Sequence, residues 1–208
     1  MDSTQNTIHN ILNTNKVFSK IKKESLQKIE EESTLVMVEQ GQTVLRANTI
    51  EDCAFIIVDG SLRLLAEDSF KKELYTIGKA HEGEIIGLVD LLRQGSCEIA
   101  IATRQSRLLS IPLKLLYEII KVDDIFATNA SKTTSICEAA FILEKVARRY
   151  TKPPRNTQQW IKEKLVANDQ THNKKRLLSS NINDNEDLIG KEISNQKEIE
   201  LEIKSKLP

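Results

Sequence analysis

The sequence predicts a mainly β domain with flanking helices, built as an antiparallel β-roll or jelly roll of about eight strands. Three observations lead to this fold class. Short β-rich runs follow one another between residues 34 and 112. Six of the seven glycines lie between Gly41 and Gly95, where they separate these runs as turn residues. Apolar residues recur at helical spacing on both sides of this region.

The elements follow in chain order. Residues 1–16 are polar and Asn-rich, and residues 17–32 carry apolar residues at nearly helical spacing. The Asp59-Gly60 pair between apolar runs predicts a tight hairpin, since such turns need positive φ angles. The β-rich runs are Leu35–Val38, Thr43–Leu45, Ala54–Val58, Ser61–Leu65, Glu73–Ile77, Glu98–Ala102 and Arg107–Ile111.

The C-terminal part is helical and then polar. Residues 114–121 predict a short helix, and residues 131–150 a longer one that ends before Pro153-Pro154. Its stripe consists of Ile136, Ala140, Leu143, Ala147 and Tyr150. No aromatic residue follows Trp160, and such a composition cannot offset the entropy of ordering the chain. We therefore divide the chain into a polar segment 1–16, a β-roll with closing helices 17–150, and a linker or largely disordered tail 151–208.

Composition excludes several classes of function. With 30 basic and 30 acidic residues the chain has no net charge that would attract nucleic acid or a membrane. Its three cysteines are far apart, which suits a reducing, cytoplasmic location and argues against zinc or a disulfide framework. We expect no signal peptide and no direct membrane insertion, since no run of 18 apolar residues occurs. The three histidines are dispersed, so we predict no metal site and no catalytic residues.

A series of motifs in fixed order resembles a known family. The motifs are Gly41-x-x-Val44-Leu45, Asn48, the run from Phe55 to Leu64 with Asp59-Gly60 inside it, Gly83, Gly87, Leu91, Ala102 and Ile111-Pro112. Over about residues 17–150 the chain resembles the cyclic-nucleotide-binding domain superfamily, the effector domain of catabolite-activator-like proteins. The resemblance implies a non-enzymatic regulatory or sensor domain.

The stretch from Gly83 to Glu98 resembles the phosphate cassette of that family. There, backbone amides hold the cyclic phosphate, an Arg pairs with it, and a Glu accepts from the ribose 2′-hydroxyl. In this chain Leu88 occupies the Glu position, and Ser96 or Cys97 the Arg position. The resemblance thus implies a degenerate site, with cAMP or cGMP as possible ligands. The candidate cassette residues are Ile86, Gly87, Leu88, Val89, Ser96, Cys97 and, as a substitute cation, Arg93.

A narrower resemblance concerns the residues after Gly87. Leu91-Leu92-Arg93 followed by Cys97-Glu98 is similar to the cassette of N-terminal domains in cyanobacterial peptidase-containing ABC exporters. It implies a bacterial domain that regulates or docks to an exporter, possible partners being exporter subunits or domains, at the inner face of the membrane. Two alternatives stay open: a genuine cAMP or cGMP receptor, and a Crp-like transcription regulator that lacks a recognisable helix-turn-helix. The heptad-like stripe in residues 131–150 predicts either packing on its own domain or a homodimer.

Overall fold

The computed structural model describes residues 3–47, 49, 51–68, 71, 73–93, 97–133, 135–149 and 156–166. The chain divides into two units, Met1–Leu165 and Val166–Pro208. The second unit lies outside the described residues apart from its first residue, and so does most of the tail that we predicted to be disordered. No helix in the described part of the chain is long and apolar enough to cross a bilayer.

The described unit contains eight strands and seven helices, which confirms the predicted mainly β fold class. The strands are β1 Thr34–Val38, β2 Thr43–Leu45, β3 Cys53–Asp59, β4 Leu62–Asp68, β5 Glu73–Ala80, β6 Ile85–Ile86, β7 Ile99–Ala102 and β8 Ser106–Pro112. The helices are α1 Ser3–Thr14, α2 Lys23–Glu32, α3 Leu88–Arg93, α4 Leu113–Ile120, α5 Asp124–Ser131, α6 Ile136–Arg149 and α7 157–166.

The strands form two four-stranded antiparallel sheets, and most neighbours within a sheet are not consecutive in the chain. One sheet has the order β1-β8-β3-β6 and the other β2-β7-β4-β5. The central strands of the first sheet, β3 and β8, are buried on both faces. Ile56 and Leu109 belong to the core cluster formed with the helices, whereas their neighbours Ile57 and Leu108 belong to the interior of the roll. This explains why β3 is apolar at successive positions, since adjacent side chains of a strand point to opposite faces.

The N-terminal helix corrects the prediction of a merely polar segment. Residues 3–14 are helical, and Ile8 and Leu12 are buried in the helical core cluster. The side-chain amide of Asn15 donates to the carbonyl oxygen of Gly83 at 2.9 Å, so the end of this helix is fastened to the turn before β6. The apolar residues of α1 stand at the spacing of a helix face, but their Asn-rich surroundings concealed this signal.

The predicted hairpin at Asp59-Gly60 is wrong. Strand β3 pairs with β6 and β8, and β4 pairs with β5 and β7, so the connection passes from one sheet to the other. Gly60 has a positive φ of +108°. Positive φ angles are uncommon outside glycine, and in the described chain Lys20 is the single non-glycine residue that has one. A Cβ on Gly60 would lie 2.1 Å from Ser106 Oγ, so this crossing requires glycine because of close approach as well as conformation.

The closing helices also differ from the prediction at their ends. The helix that we predicted over residues 131–150 begins at Ile136, and a separate helix, α5, precedes it. Residues 157–166, which we placed at the start of the linker, form α7. Ile161 of this helix is fully buried in a third cluster with Tyr75 and Ala140. So short a helix is marginal on its own, and packing of its apolar face on this cluster stabilises it.

Candidate functional site

The turn before α3 is held close to β3. Gly87 has a φ of +80°, a left-handed conformation that glycine adopts without strain. A Cβ at this position would lie 3.1 Å from the carbonyl oxygen of Cys53 and 3.3 Å from the Cα of Ala54. The cassette turn therefore packs backbone against backbone, which fixes the direction of the Gly87 amide.

Three of the predicted cassette residues contribute packing through their side chains. Ile86 is buried in the interior of the roll, and Leu88 is buried in the helical core cluster. Val89 is likewise buried. Leu88, which the resemblance predicts to stand at the position of a ribose-binding Glu, is thus an apolar side chain within the core. Its side chain cannot bond a hydroxyl group.

The amide of Gly87 is bound by a carboxylate of the same chain. Glu98 is 2% exposed, and its Oε2 accepts from the backbone N–H of Gly87 at 2.6 Å. Its other oxygen, Oε1, accepts from the hydroxyl of Ser135 at 2.5 Å. Both are charge-assisted hydrogen bonds, of the kind that is shorter and stronger than a neutral pair. Glu98 therefore joins the cassette turn to the residue that precedes α6.

The first turn of α6 closes the roll next to this carboxylate. Ser135 Oγ accepts from the backbone N–H of Cys137 at 3.2 Å, so it caps the helix while it donates to Glu98. Cys137 is 1% exposed and belongs to the roll interior, with Ile136 packed against the same cluster. Burial, with the nearby Glu98 charge as the next cause, raises the pKa of the Cys137 thiol to about 12. The thiol is therefore protonated at neutral pH.

Of the three remaining predicted site residues, the structure fully describes one. Cys97 is half-buried and forms no disulfide bond. Ser96 and the side chain of Arg93 lie outside what the structure describes. Sequence reasoning missed Glu98 and Ser135 as site residues. It placed Glu98 in a strand and in the exporter-like motif but gave its carboxylate no role, although an acidic residue directly before the buried positions of β7 is a signal that such a carboxylate has partners. No group of three or more His, Cys, Asp or Glu side chains in the described chain is arranged to hold a metal ion.

Comparison with known proteins bears directly on this architecture. Residues 35–123 match the family model of the cyclic nucleotide-binding domain. This segment belongs to that family. The match covers β1 through β8 and α3 and α4, and so includes the whole cassette. The resemblance predicted from the glycine and strand motifs is confirmed, and the chain contains a domain of regulatory type.

Individual relatives agree on the fold. The Drosophila ananassae neuropathy target esterase sws is 29% identical over 93 residues, covering 41% of this chain and 6% of that protein. The regulatory subunit of a cAMP-independent protein kinase A from Trypanosoma brucei, as a triple mutant with cAMP in its A site, has a TM-score of 0.58 at 11% identity. The match covers 69% of this chain and 52% of that one. The sensor domain of the transcriptional regulator DNR from Pseudomonas aeruginosa has a TM-score of 0.52 at 14% identity, covering 69% and 94%.

Proposed function

We propose that this chain is a non-catalytic regulatory or docking domain whose cassette is closed without a cyclic nucleotide. The observation that carries the proposal is the buried Glu98 carboxylate on the amide of Gly87. A cyclic phosphate is an anion. In this chain the amide of Gly87 in the cassette already binds an anion, the carboxylate of Glu98.

Charge and hydrogen-bond energies support weak or absent nucleotide binding. Two unit charges about 5 Å apart at an effective dielectric constant of about 20 repel by roughly 3 kcal/mol. The apolar Leu88 and the uncharged Ser96 or Cys97 each omit a charge-assisted bond worth about 1.5–3 kcal/mol. Each of these effects lowers affinity by roughly one to two powers of ten. The alternative, a genuine cAMP or cGMP receptor, has to overcome all three.

A relative of the same fold offers a precedent. The Trypanosoma brucei subunit comes from a kinase described as cAMP-independent, and the form bound to cAMP carries three substitutions. Two of them place an arginine and an alanine at adjacent positions. This supports the idea that a domain of this fold can serve a regulatory protein without cAMP, and that an added arginine is part of what cAMP binding needs.

Isothermal titration calorimetry tests the proposal. We expect wild-type protein to bind cAMP and cGMP with a Kd weaker than about 10 µM, which corresponds to roughly −7 kcal/mol. The Ser96→Arg/Glu98→Ala variant adds the cation and removes the anion, so it should bind more tightly than wild type. Ser96→Lys/Glu98→Ala is the matched control without a bidentate donor. Wild-type binding below 10 µM would establish the receptor function instead.

We propose that the partner of this domain is an exporter of the ABC class, and that the domain binds the exporter from the cytoplasmic side. The support is the similarity of Leu91-Leu92-Arg93 and Cys97-Glu98 to exporter cassettes. An exporter reading frame continuous with or beside the gene is the expected observation, and a DNA-binding module in that place would favour a transcription regulator.

A homodimer through α6 is a further proposal. Leu143 packs on the third cluster of its own domain, whereas Phe141 and Ile142 are 46% and 53% exposed. The outer face of α6, with these two residues, is therefore the surface on which a second copy would bind. The described residues of the predicted stripe already pack within the domain, namely Ile136, Ala140, Leu143 and Ala147.

A further inference from the structure

We propose that Glu98 and Ser135 form a latch that holds α6 closed on the roll without any ligand. The proposal rests on the proposed nucleotide-free function and adds how that function is regulated. The carboxylate of Glu98 is the anion bound in the cassette, and the same carboxylate holds α6 in position through Ser135. Opening this latch, rather than binding a nucleotide, then becomes the event to which a partner responds.

The two oxygens of Glu98 bind two elements that are separate in the chain. Oε2 accepts from Gly87, 11 residues away, and Oε1 accepts from Ser135, 37 residues away. A carboxylate that is 2% exposed is destabilising unless hydrogen bonds satisfy it, so each of these contacts strengthens the requirement for the other. The cassette turn cannot move from Glu98 without weakening the support of α6.

Ser135 transmits this constraint into the helix. A hydroxyl has one proton to donate and lone pairs to accept with. Its proton is directed to Glu98, and its oxygen accepts from the amide of Cys137. Cys137 in turn lies in the roll interior, where its thiol donates weakly to the carbonyl oxygen of Leu65 at 3.9 Å. Removal of the Glu98 charge therefore loosens the cap, and the cap holds Cys137 in place.

Cys137 makes the latch measurable. In a Cys53→Ser/Cys97→Ser background, labelling by a maleimide reports how often the first turn of α6 opens, since the thiol is buried in the closed state. We expect Ser135→Ala and Glu98→Gln each to raise the labelling rate about tenfold or more. Ser135→Thr keeps the hydroxyl and should label like the parent.

Controls separate a latch from general destabilisation. Leu116→Ala weakens the buried helical cluster and should label only through global unfolding, with a steep dependence on urea. The latch variants should instead label with a shallow dependence on urea. The Glu98→Gln/Ser135→Ala double variant should label no faster than the faster single variant, because the two residues act as one unit.

Two results would overturn the latch: labelling unchanged in both single variants, or labelling that rises only in step with global unfolding. Either result leaves the calorimetric test of nucleotide binding untouched. Conversely, tight cAMP binding by the wild type would overturn the proposed function, while the labelling rates still report whether Glu98 holds α6.

Discussion

Replacing Gly87 by alanine should destabilise the domain more than the same replacement at Gly83. Both glycines have the same left-handed conformation, with φ angles of +80° and +81°. They differ in surroundings. A Cβ on Gly83 meets nothing within 4 Å, whereas a Cβ on Gly87 meets the backbone of Cys53 and Ala54 at 3.1 and 3.3 Å. The pair thus separates the cost of backbone conformation from the cost of close packing.

The expected magnitudes follow from these two costs. An L-residue in the left-handed region costs about 1–2 kcal/mol, which is the whole effect expected for Gly83→Ala. Overpacking against atoms that cannot rotate away adds about 1–3 kcal/mol for Gly87→Ala. At roughly 2–4 °C per kcal/mol for a domain of this size, the Tm of the Gly87 variant should be several degrees below that of the Gly83 variant.

Urea denaturation followed by circular dichroism provides the assay. We expect both variants to keep the wild-type dependence on urea and to shift the midpoint, with the larger shift for Gly87→Ala. Equal midpoints would refute the reasoning, since they would mean that the cassette turn moves away from β3 at no cost. The position of the Gly87 amide would then not be fixed by packing.

Two further predictions concern the helices. Burial alone would raise the pKa of the Asp123 carboxyl, but hydrogen bonds from two backbone amides hold the pKa below its ordinary value. Asp123 therefore stabilises the fold above about pH 4, and this contribution is lost as the pH falls through the lower folded pKa. Asp123→Ala should lower the Tm by a few degrees at neutral pH, with a gap that narrows in acid; a gap independent of pH would contradict this. Changing Phe141 and Ile142 to serine should convert a dimer to a monomer in sedimentation without lowering the Tm, and a monomeric wild type at high micromolar concentration would exclude the α6 dimer.

Local patterns were sufficient to predict most of the strands and the longer helices. The runs around Ile56 and Leu108 combine β-branched or apolar residues with flanking turn residues, and both signals are local in the chain. The prediction of structure failed where a local signal in the sequence pointed to a different structure from the one that the whole fold requires. Asp59-Gly60 has hairpin chemistry, yet the sheets are joined there by a crossing, because pairing partners are chosen by the global fold. In α1 a polar composition concealed the helix face around Leu12.

For the cassette, too, some features could be predicted from the sequence and others required the tertiary structure. The resemblance of this motif to the family cassette predicts that Leu88 and Ser96 or Cys97 replace the residues that would bind ribose and phosphate, and this prediction needs only the residues of one motif. Only the tertiary structure decided what replaces them. The contact of Glu98 with Gly87 and Ser135 joins residues 11 and 37 positions apart. Such contacts depend on sheet register and on where α6 returns to the roll, and these are set by packing of the whole domain rather than by any local pattern.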